Sequence, residues 1–480
     1  MVDWSKLYAF VRFFPEVKHV DQLTPNRQKV IYTTISIFIF LAASQLPLYG
    51  IPVQRGTAPD PLYWWRLPFA STGNTLLTLG IGPILLSEIT VQILVASKGI
   101  NVDCNAQEAR TLLNGLQKLM GLLFTIMGAV TYVIDSGAVS KVGTSNAVLI
   151  LLQIIFSGIV VIYLDDILKK GHGLLPSIPL FTATNICGNV MWQAFSPMLF
   201  TYHEQGTEFE GAIPAWVHLL ITRKDKFSAM REAFCRQNLP NVTNLIATCL
   251  FVLIAISFQG LSSIVLPVRK HDNSEHQTDY LIKISNIFYG PIILHHLLVP
   301  NLYVISKVLY VKYGGNELLN LLSTWNRSKH FEQSFPAGGI LYYLTTPPTL
   351  ADLHRDPFHA FVYVVYVLGA FASLSVFWLR ICVSSDRFLE GFIVSNEEEG
   401  VMLAQPDSIP RKEFTTHVLK AARVVGLCVG ALIILGDFVG VFGSGTGIML
   451  AVTALYPYFD GRAGEAGVFS FWSETVQKTL

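Results

Sequence analysis

Glu88 is the residue of this sequence best placed to do chemistry, a carboxylate in the middle of the apolar run ILLSEITVQILVA. A charge there costs a few kcal/mol unless it is hydrated or paired. His295 and His296, adjacent in a second apolar run and followed by Asn301, are the other candidates. Glu88 with either histidine would make a proton site of the kind secondary transporters carry, or an acid–base pair for an intramembrane enzyme. No second acid is evident at the depth of Glu88, which favours a carboxylate facing water or a seam between helices. Ser87 adds a hydroxyl, yet no nucleophile–base–orienter series can be assembled around it. No GxxxxGK[ST] loop occurs, so any driving force must come from outside the chain. The six cysteines (Cys104, Cys187, Cys235, Cys249, Cys382, Cys428) show no CxxC pair and no metal-ligand spacing. They are expected to be buried thiols, with no disulfide framework, metal or other cofactor.

The elements that carry these residues are membrane spans. Of the 480 residues, 51% are hydrophobic and only 14% charged, and the mean hydropathy is +0.47. Water-soluble domains carry about a quarter charged residues, so the solvent here is lipid. The net charge of +1 gives no global surplus that would attract nucleic acid. Uniform spans are expected at 31–49, 113–134, 146–164, 243–260, 361–381 and 424–443, each near the length that crosses a hydrocarbon core of about 30 Å. Four more, 75–97, 177–195, 286–310 and 445–459, are interrupted by glycine, proline and polar residues and must line a watered space or one another. The expected fold is an all-α polytopic membrane protein with ten transmembrane helices, five in each half.

Between the first two spans, DPLYWWRLPFAS is too short to cross. The residues alone leave open a re-entrant half-helix or an aromatic interfacial loop. Apolar alternation near 262–268 and 280–284 predicts a small hairpin. At the amino terminus Trp4, Leu7, Tyr8, Val11 and Phe14 form a helical stripe, reading as an interfacial helix and not a cleaved signal. Basic residues over the first thirty positions favour a cytosolic amino terminus. Ten crossings then place 265–284 and 382–420 in the cytosol. They also place 222–236, with Arg223, Lys224, Lys226, Arg231 and Arg236, on the far side, against the positive-inside rule.

A resemblance now enters. SQLPLYGI (44–51), DPLYW (60–64), NGLQKLMG (114–121), LFTATNIC (180–187), AFSP (194–197) and EFEGAI (208–213) resemble the eukaryotic Sec translocon α subunit, in the SecY family of protein-conducting channels. So do REAFCRQNLPN (231–241), NLYVISKVL (301–309), DPFHAFVY (356–363) and GSGTGIMLAVT (443–453), all in family order. The resemblance implies two pseudo-symmetric five-helix halves, 29–195 and 241–460, joined by a loop at 196–240. They are flanked by a cytosolic amphipathic segment at 1–28 and a tail at 461–480. It also implies a plug half-helix at 60–73 that includes Tyr63, Trp64, Trp65 and Leu67. The implied location is the endoplasmic reticulum membrane. The implied partners are a β subunit, a SecE-like γ subunit, the ribosome, signal sequences and nascent chains, auxiliary translocation proteins and lipid.

Carried across by position, the family's pore ring falls on Ile81, Leu85, Ile178, Thr182, Ile293 and Met449. A narrow apolar constriction dewets and blocks ions while deforming around a passing chain. Thr182 departs from the aliphatic pattern and is expected to wet the ring slightly. The lateral gate falls on Glu88, Gly128, His295 and Asn301. Gly128 and His295 stand where the family carries glutamines, so the histidines would either donate across the gate or be wetted by the pore. On the cytosolic face the family's docking arginines are replaced by Asp272, Ser274 and Pro406, with Arg269, Lys270, Arg411 and Lys412 nearby. The resemblance therefore implies ribosome docking that is weakened or displaced.

Overall fold

The computed structural model describes residues 17, 26–51, 66–97, 107–135, 143–202, 206–236, 239–261, 263–269, 277–283, 285–313, 317–327, 334–345, 356–384 and 411–463. The expected amino-terminal helix, plug residues Tyr63, Trp64 and Trp65, and Lys270, Asp272, Ser274 and Pro406 lie outside them. By residue contacts the chain forms two compact units, 1–188 and 189–480.

The first unit contains α1 (Asn26–Gln45), α2 (Gly82–Ala96), α3 (Gln107–Asp135) and α4 (Thr144–Ile167), which continues into a π-helical turn (Leu168–His172). The helix α5 (Ser177–Phe195) begins in this unit and ends in the second. The second unit continues with β1 (Leu199–Tyr202), β2 (Gly206–Phe209), α6 (Ala212–Thr222), α7 (Lys226–Phe234) and α8 (Val242–Leu261). There follow β3 (Ser263–Arg269), β4 (Gln277–Lys283), α9 (Ser285–Tyr313), α10 (Glu317–Leu322), β5 (Thr324–Arg327), β6 (Ser334–Gly338) and α11 (Ile340–Tyr343). Three long helices, α12 (Pro357–Ser384), α13 (Arg411–Val439) and α14 (Gly445–Ala463), complete it. Every expected span has its helix: α1 to α5, α8, α9, α12, α13 and α14.

Six of these helices, α3, α4, α8, α9, α12 and α13, are long and apolar enough by composition to cross a membrane. The membership differs from expectation. α1 drops out because it opens on NRQK and carries Thr33, Thr34, Ser36 and Ser44, whereas α9 qualifies over Gly290–Tyr310 despite its histidines and prolines. The span expected at 75–97 is helical only from Gly82, where Pro83 sits in the first turn with no N–H to lose. Residues 66–81 are turns.

Side-chain exposure inverts the soluble pattern. Val148, Leu152 and Phe156 on α4, and Ile246, Leu250 and Leu253 on α8, are all at least half exposed. Repeats of three and four place them along one helix face. Bare apolar stripes of this length require lipid as solvent. The four cysteines of known exposure, Cys187, Cys235, Cys249 and Cys428, are also exposed, not buried as expected. Cys187, Cys249 and Cys428 lie on span helices, where a thiol behaves as a small apolar group and lipid accepts it. Hydroxyls that would be orphaned in lipid bond back to their own helices: Thr33 donates to Lys29 O at 2.8 Å and Thr125 to Gly121 O at 2.8 Å.

The hairpin expected near 262–284 is present as β3–β4, an antiparallel pair in register from Ser263↔Lys283 to Arg269↔Gln277. Two further hairpins, β1–β2 and β5–β6, were not anticipated. Residues 196–240, expected as a loop, fold into β1–β2 and the short helices α6 and α7, with Leu219, Ala229, Ala233 and Val242 packed together.

Helices approach closely where one of them carries glycine. A Cβ built at Gly158 of α4 would lie 2.3 Å from Thr125 Cγ2 of α3, whereas one at Gly188 meets nothing within 4 Å. We expect Gly158→Ala to cost about 1–3 kcal/mol through overpacking. Gly188→Ala is neutral or slightly stabilising. Thermal unfolding of the detergent-solubilised protein distinguishes the two; equal Tm values would refute the packing.

Candidate functional site

The first constellation surrounds the turns at 66–81. Leu67, Phe69, Ala70, Leu77 and Ile81 are buried there, and this non-helical backbone carries polar groups that need partners. Asn185 Nδ2 of α5 donates to Leu67 O at 3.0 Å, and Thr182 Oγ1 of α5 donates to Pro68 O at 3.3 Å. The Ile81 N–H donates to Phe69 O at 2.8 Å and the Thr72 N–H to Leu77 O at 3.1 Å. Ser157 Oγ of α4 donates to Leu76 O at 2.5 Å. At the end of α1, the Leu48 N–H donates to Asn74 O at 3.1 Å and the Leu76 N–H to Leu46 O at 3.0 Å. Gly80 is required by its positive φ of 55° and by Phe69 O, which would lie 2.2 Å from a Cβ.

Four ring residues belong to this unit. Ile81 is fully buried just before α2, Leu85 lies one turn into it, and Ile178 and Thr182 lie on α5. Thr182 does not wet anything: it is fully buried and its hydroxyl is spent on Pro68 O. Gly128 of α3 faces Leu79, whose Cδ2 would sit 2.9 Å from a Cβ.

Glu88 is not a lone carboxylate. Its Oε2 lies 3.1 Å from Lys169 Nζ, and Lys169 also reaches Asp165 at 3.2 Å. Ser177 Oγ donates to Asp165. Alongside, Asp166 accepts from Lys118 Nζ of α3 at 2.7 Å and pairs with Lys170 at 3.5 Å. The Val17 N–H donates to Asp166 at 3.4 Å, and Lys170 Nζ donates to Val17 O at 2.7 Å. The expectation that no second acid shares the depth of Glu88 is therefore wrong. The signal was present in DDILKK, which sets two Asp–Lys pairs at the i,i+4 spacing of neighbours on one helix face.

In the second unit, His295 and His296 of α9 are both buried. His295 Nε2 shares a hydrogen bond with Tyr366 Oη of α12 at 3.3 Å and its ring lies against Phe371. His296 Nδ1 meets Ile292 O at 2.9 Å. Ile293 is buried beside them, and Gly290 lets Trp378 of α12 approach to 2.1 Å from where a Cβ would be. Asn301 is exposed and donates within its own helix to Leu297 O at 2.6 Å. Met449 is fully buried on α14. One residue escaped the sequence reading. Asp437, near the end of α13, accepts from Tyr363 Oη of α12 at 3.0 Å and from the Gly445 N–H that opens α14 at 2.8 Å. Among the docking candidates, Arg269 ends β3, and Arg411 and Lys412 begin α13. Among the described residues no group of three or more metal-ligating side chains could hold an ion.

The first unit thus combines hydrogen-bonded turns at the head of a broken span with an apolar, lipid-facing stripe on α4. The SecY family model matches residues 75–459, and the model of the plug domain of Sec61p matches 38–73. The chain belongs to the SecY family. This is a family of protein-conducting channels, not of enzymes. The chain is 42% identical over 453 residues to the Sec61 subunit alpha protein transport protein of Dictyostelium discoideum, covering 94% of each chain. Its fold is similar to a solved structure of a protein-conducting channel (24% identity, TM-score 0.69, 95% of this chain and 96% of that one). It is also similar to Sec61 in the canine ribosome–channel complex from the endoplasmic reticulum (24% identity, TM-score 0.65, 95% and 96% coverage). The plug match ends at Thr72-Gly73, within the hydrogen-bonded turns.

The two ion-pair groups differ in burial, and their energies should differ accordingly. The Lys118 and Asp166 side chains are 12% and 7% exposed, against 31% and 33% for Lys169 and Glu88. Asp166→Asn removes the buried carboxylate that Lys118 pairs with at 2.7 Å and is expected to cost about 3 kcal/mol. Glu88→Gln, screened by solvent, is expected to cost less than about 1 kcal/mol. Thermal unfolding of both variants checks the order; a larger loss from Glu88→Gln would reverse it.

Proposed function

We propose that this chain is the pore-forming subunit of a channel that passes secretory polypeptides across the endoplasmic reticulum membrane and releases membrane proteins sideways into lipid. The observation that carries the reading is the likeness to Sec61 subunit alpha along 94% of both chains. On this reading the amino terminus is cytosolic, and 29–195, 196–240 and 241–460 are the working divisions. Ile81, Leu85, Ile178, Thr182, Ile293 and Met449 form the constriction. Each is 6% exposed or less, as a closed ring requires and as a packed core would also show. Thr182 adds a second task, holding the plug. Glu88, Gly128, His295 and Asn301 belong to the lateral gate. An apolar signal helix opens it by supplying the burial the gate helices lose, at about 25 cal/mol per Å². Residues 60–73 are the plug, and their last turns are those fastened by Asn185 and Thr182.

The partners are a β subunit, a SecE-like γ subunit, signal sequences, nascent chains and auxiliary translocation proteins. The ribosome is added on the strength of the canine complex. Its docking is weaker or displaced here, because Asp272, Ser274 and Pro406 cannot supply the bidentate fork that suits RNA phosphate.

Crosslinking a stalled secretory chain tests the conduit. Probes at positions 81, 178 and 449 are expected to reach the nascent chain, and Glu88→Gln should leave that pattern unchanged. Absence of all three crosslinks, with saturable small-solute uptake abolished by Glu88→Gln, would instead establish a secondary transporter with a midplane site near Glu88 and His295. Docking is tested by ribosome co-sedimentation at moderate salt. Charge reversal at Arg269, Lys270, Arg411 and Lys412 should abolish what binding there is; tight binding that survives would show that these loops are not the contact.

A further inference from the structure

The segment between α5 and α8 carries a surface that the channel reading does not use. α6 and α7 pack as a helical hairpin whose inner face, Leu219, Ala229 and Ala233, closes on Val242 at the head of α8. The outer face is apolar as well. Val217 and Ile221, four residues apart on α6, are 46% and 76% exposed. Phe227 and Met230, three apart on α7, are 80% and 44% exposed. Ile221 lies in the last turn of α6 and Phe227 in the first turn of α7, so the largest bare side chains flank the connecting turn.

The basic residues of this segment divide into two sets. Arg236 is spent internally: its guanidinium donates to Glu208 at 3.0 Å, Phe209 O at 2.6 Å and Pro240 O at 3.1 Å. Arg223 pairs with Glu232 at 3.0 Å, and Lys226 Nζ donates to the carbonyls of Leu220 and Arg223 that end α6. Lys224 and Arg231 are exposed and have no carboxylate partner among the described residues. They flank the bare Phe227.

What covers this face follows from its tethers. The segment leaves α5 at Phe195 and enters α8 at Val242, so both of its ends are fixed to spans. The eleven residues of α6 are too few to cross. Immediately beyond Val242, α8 begins its lipid-facing stripe with Ile246 at 54% exposure. We propose that the α6–α7 hairpin lies in the headgroup layer, its Ile221–Phe227 tip inserted among acyl chains and Lys224 and Arg231 bound to anionic phospholipid. An apolar face beside cations is the composition of an interfacial helix. With a cytosolic amino terminus, as proposed above, the basic residues of 222–236 that run against the positive-inside rule are thereby accounted for: some are internal structure, and the rest are lipid contacts.

The test uses the full-length protein in nanodiscs with or without phosphatidylserine. An environment-sensitive fluorescent amino acid replaces Phe227, and its emission is quenched in turn by shallow doxyl-labelled lipid and by aqueous iodide. The expected result is blue-shifted emission, quenched by lipid and shielded from iodide. Lys224→Glu combined with Arg231→Glu should lower lipid quenching at least about twofold in anionic discs and little in neutral ones. An unchanged Tm would show that the exposed substitutions leave the fold intact. Quenching by iodide alone would place the tip in water and overturn the proposal. Quenching by neither agent would mean that protein covers it, which overturns it equally. Nascent-chain crosslinking at positions 81, 178 and 449 is independent of either result.

Discussion

Inside a bilayer a backbone that leaves the helix must find every hydrogen bond within the protein, and the first unit is organised around that requirement. Between Arg66 and Ile81 the chain is neither helix nor strand. Its carbonyls are met by Asn185 and Thr182 from α5, Ser157 from α4 and its own N–H groups. This explains why α5 carries Thr182 and Asn185. Leaving one such carbonyl unpaired would cost about 1–3 kcal/mol. The same requirement makes Gly80 irreplaceable, since the turn that delivers Phe69 O to Ile81 N leaves no room for a Cβ.

Charge is handled on the same principle. Asp165, Asp166, Lys169 and Lys170 leave the end of α4 in one stretch, where a π-helical turn changes the helical spacing. They gather Glu88 from α2 and Lys118 from α3. Isolated, the buried charges of Lys118, Asp166 and Lys170 would be costly at this position; paired, the two groups link three helices. In the second unit Asp437 does the same for α12, α13 and α14 with one carboxylate.

How much of this was legible depended on the kind of signal. Hydropathy located all ten helices, because apolar length is a bulk property. It misplaced the start of α2, since TLLTLGI is as apolar in turns as in a helix, and only Gly80 and Pro83 mark the change. It took Glu88 for an isolated acid because its partner Lys169 lies 81 positions away, although the paired spacing within DDILKK was in view. Hydropathy does not reveal that α12 supplies Tyr366 and Phe371 beside His295. The ring and gate assignments came from resemblance, as nothing in an isoleucine's neighbourhood along the chain distinguishes a pore from a core.

The contacts of Thr182 and Asn185 with Pro68 and Leu67 are made by side chains to carbonyls, a group that every polypeptide carries at every residue. Each is worth about 1 kcal/mol net, and releasing one with no replacement is more costly than that. The fastening is therefore an exchangeable one. Whatever reaches α5 with an acceptor to offer, whether water or another stretch of backbone, can take over the same two donors. The energy of letting go is then set by the newcomer as much as by the segment it displaces.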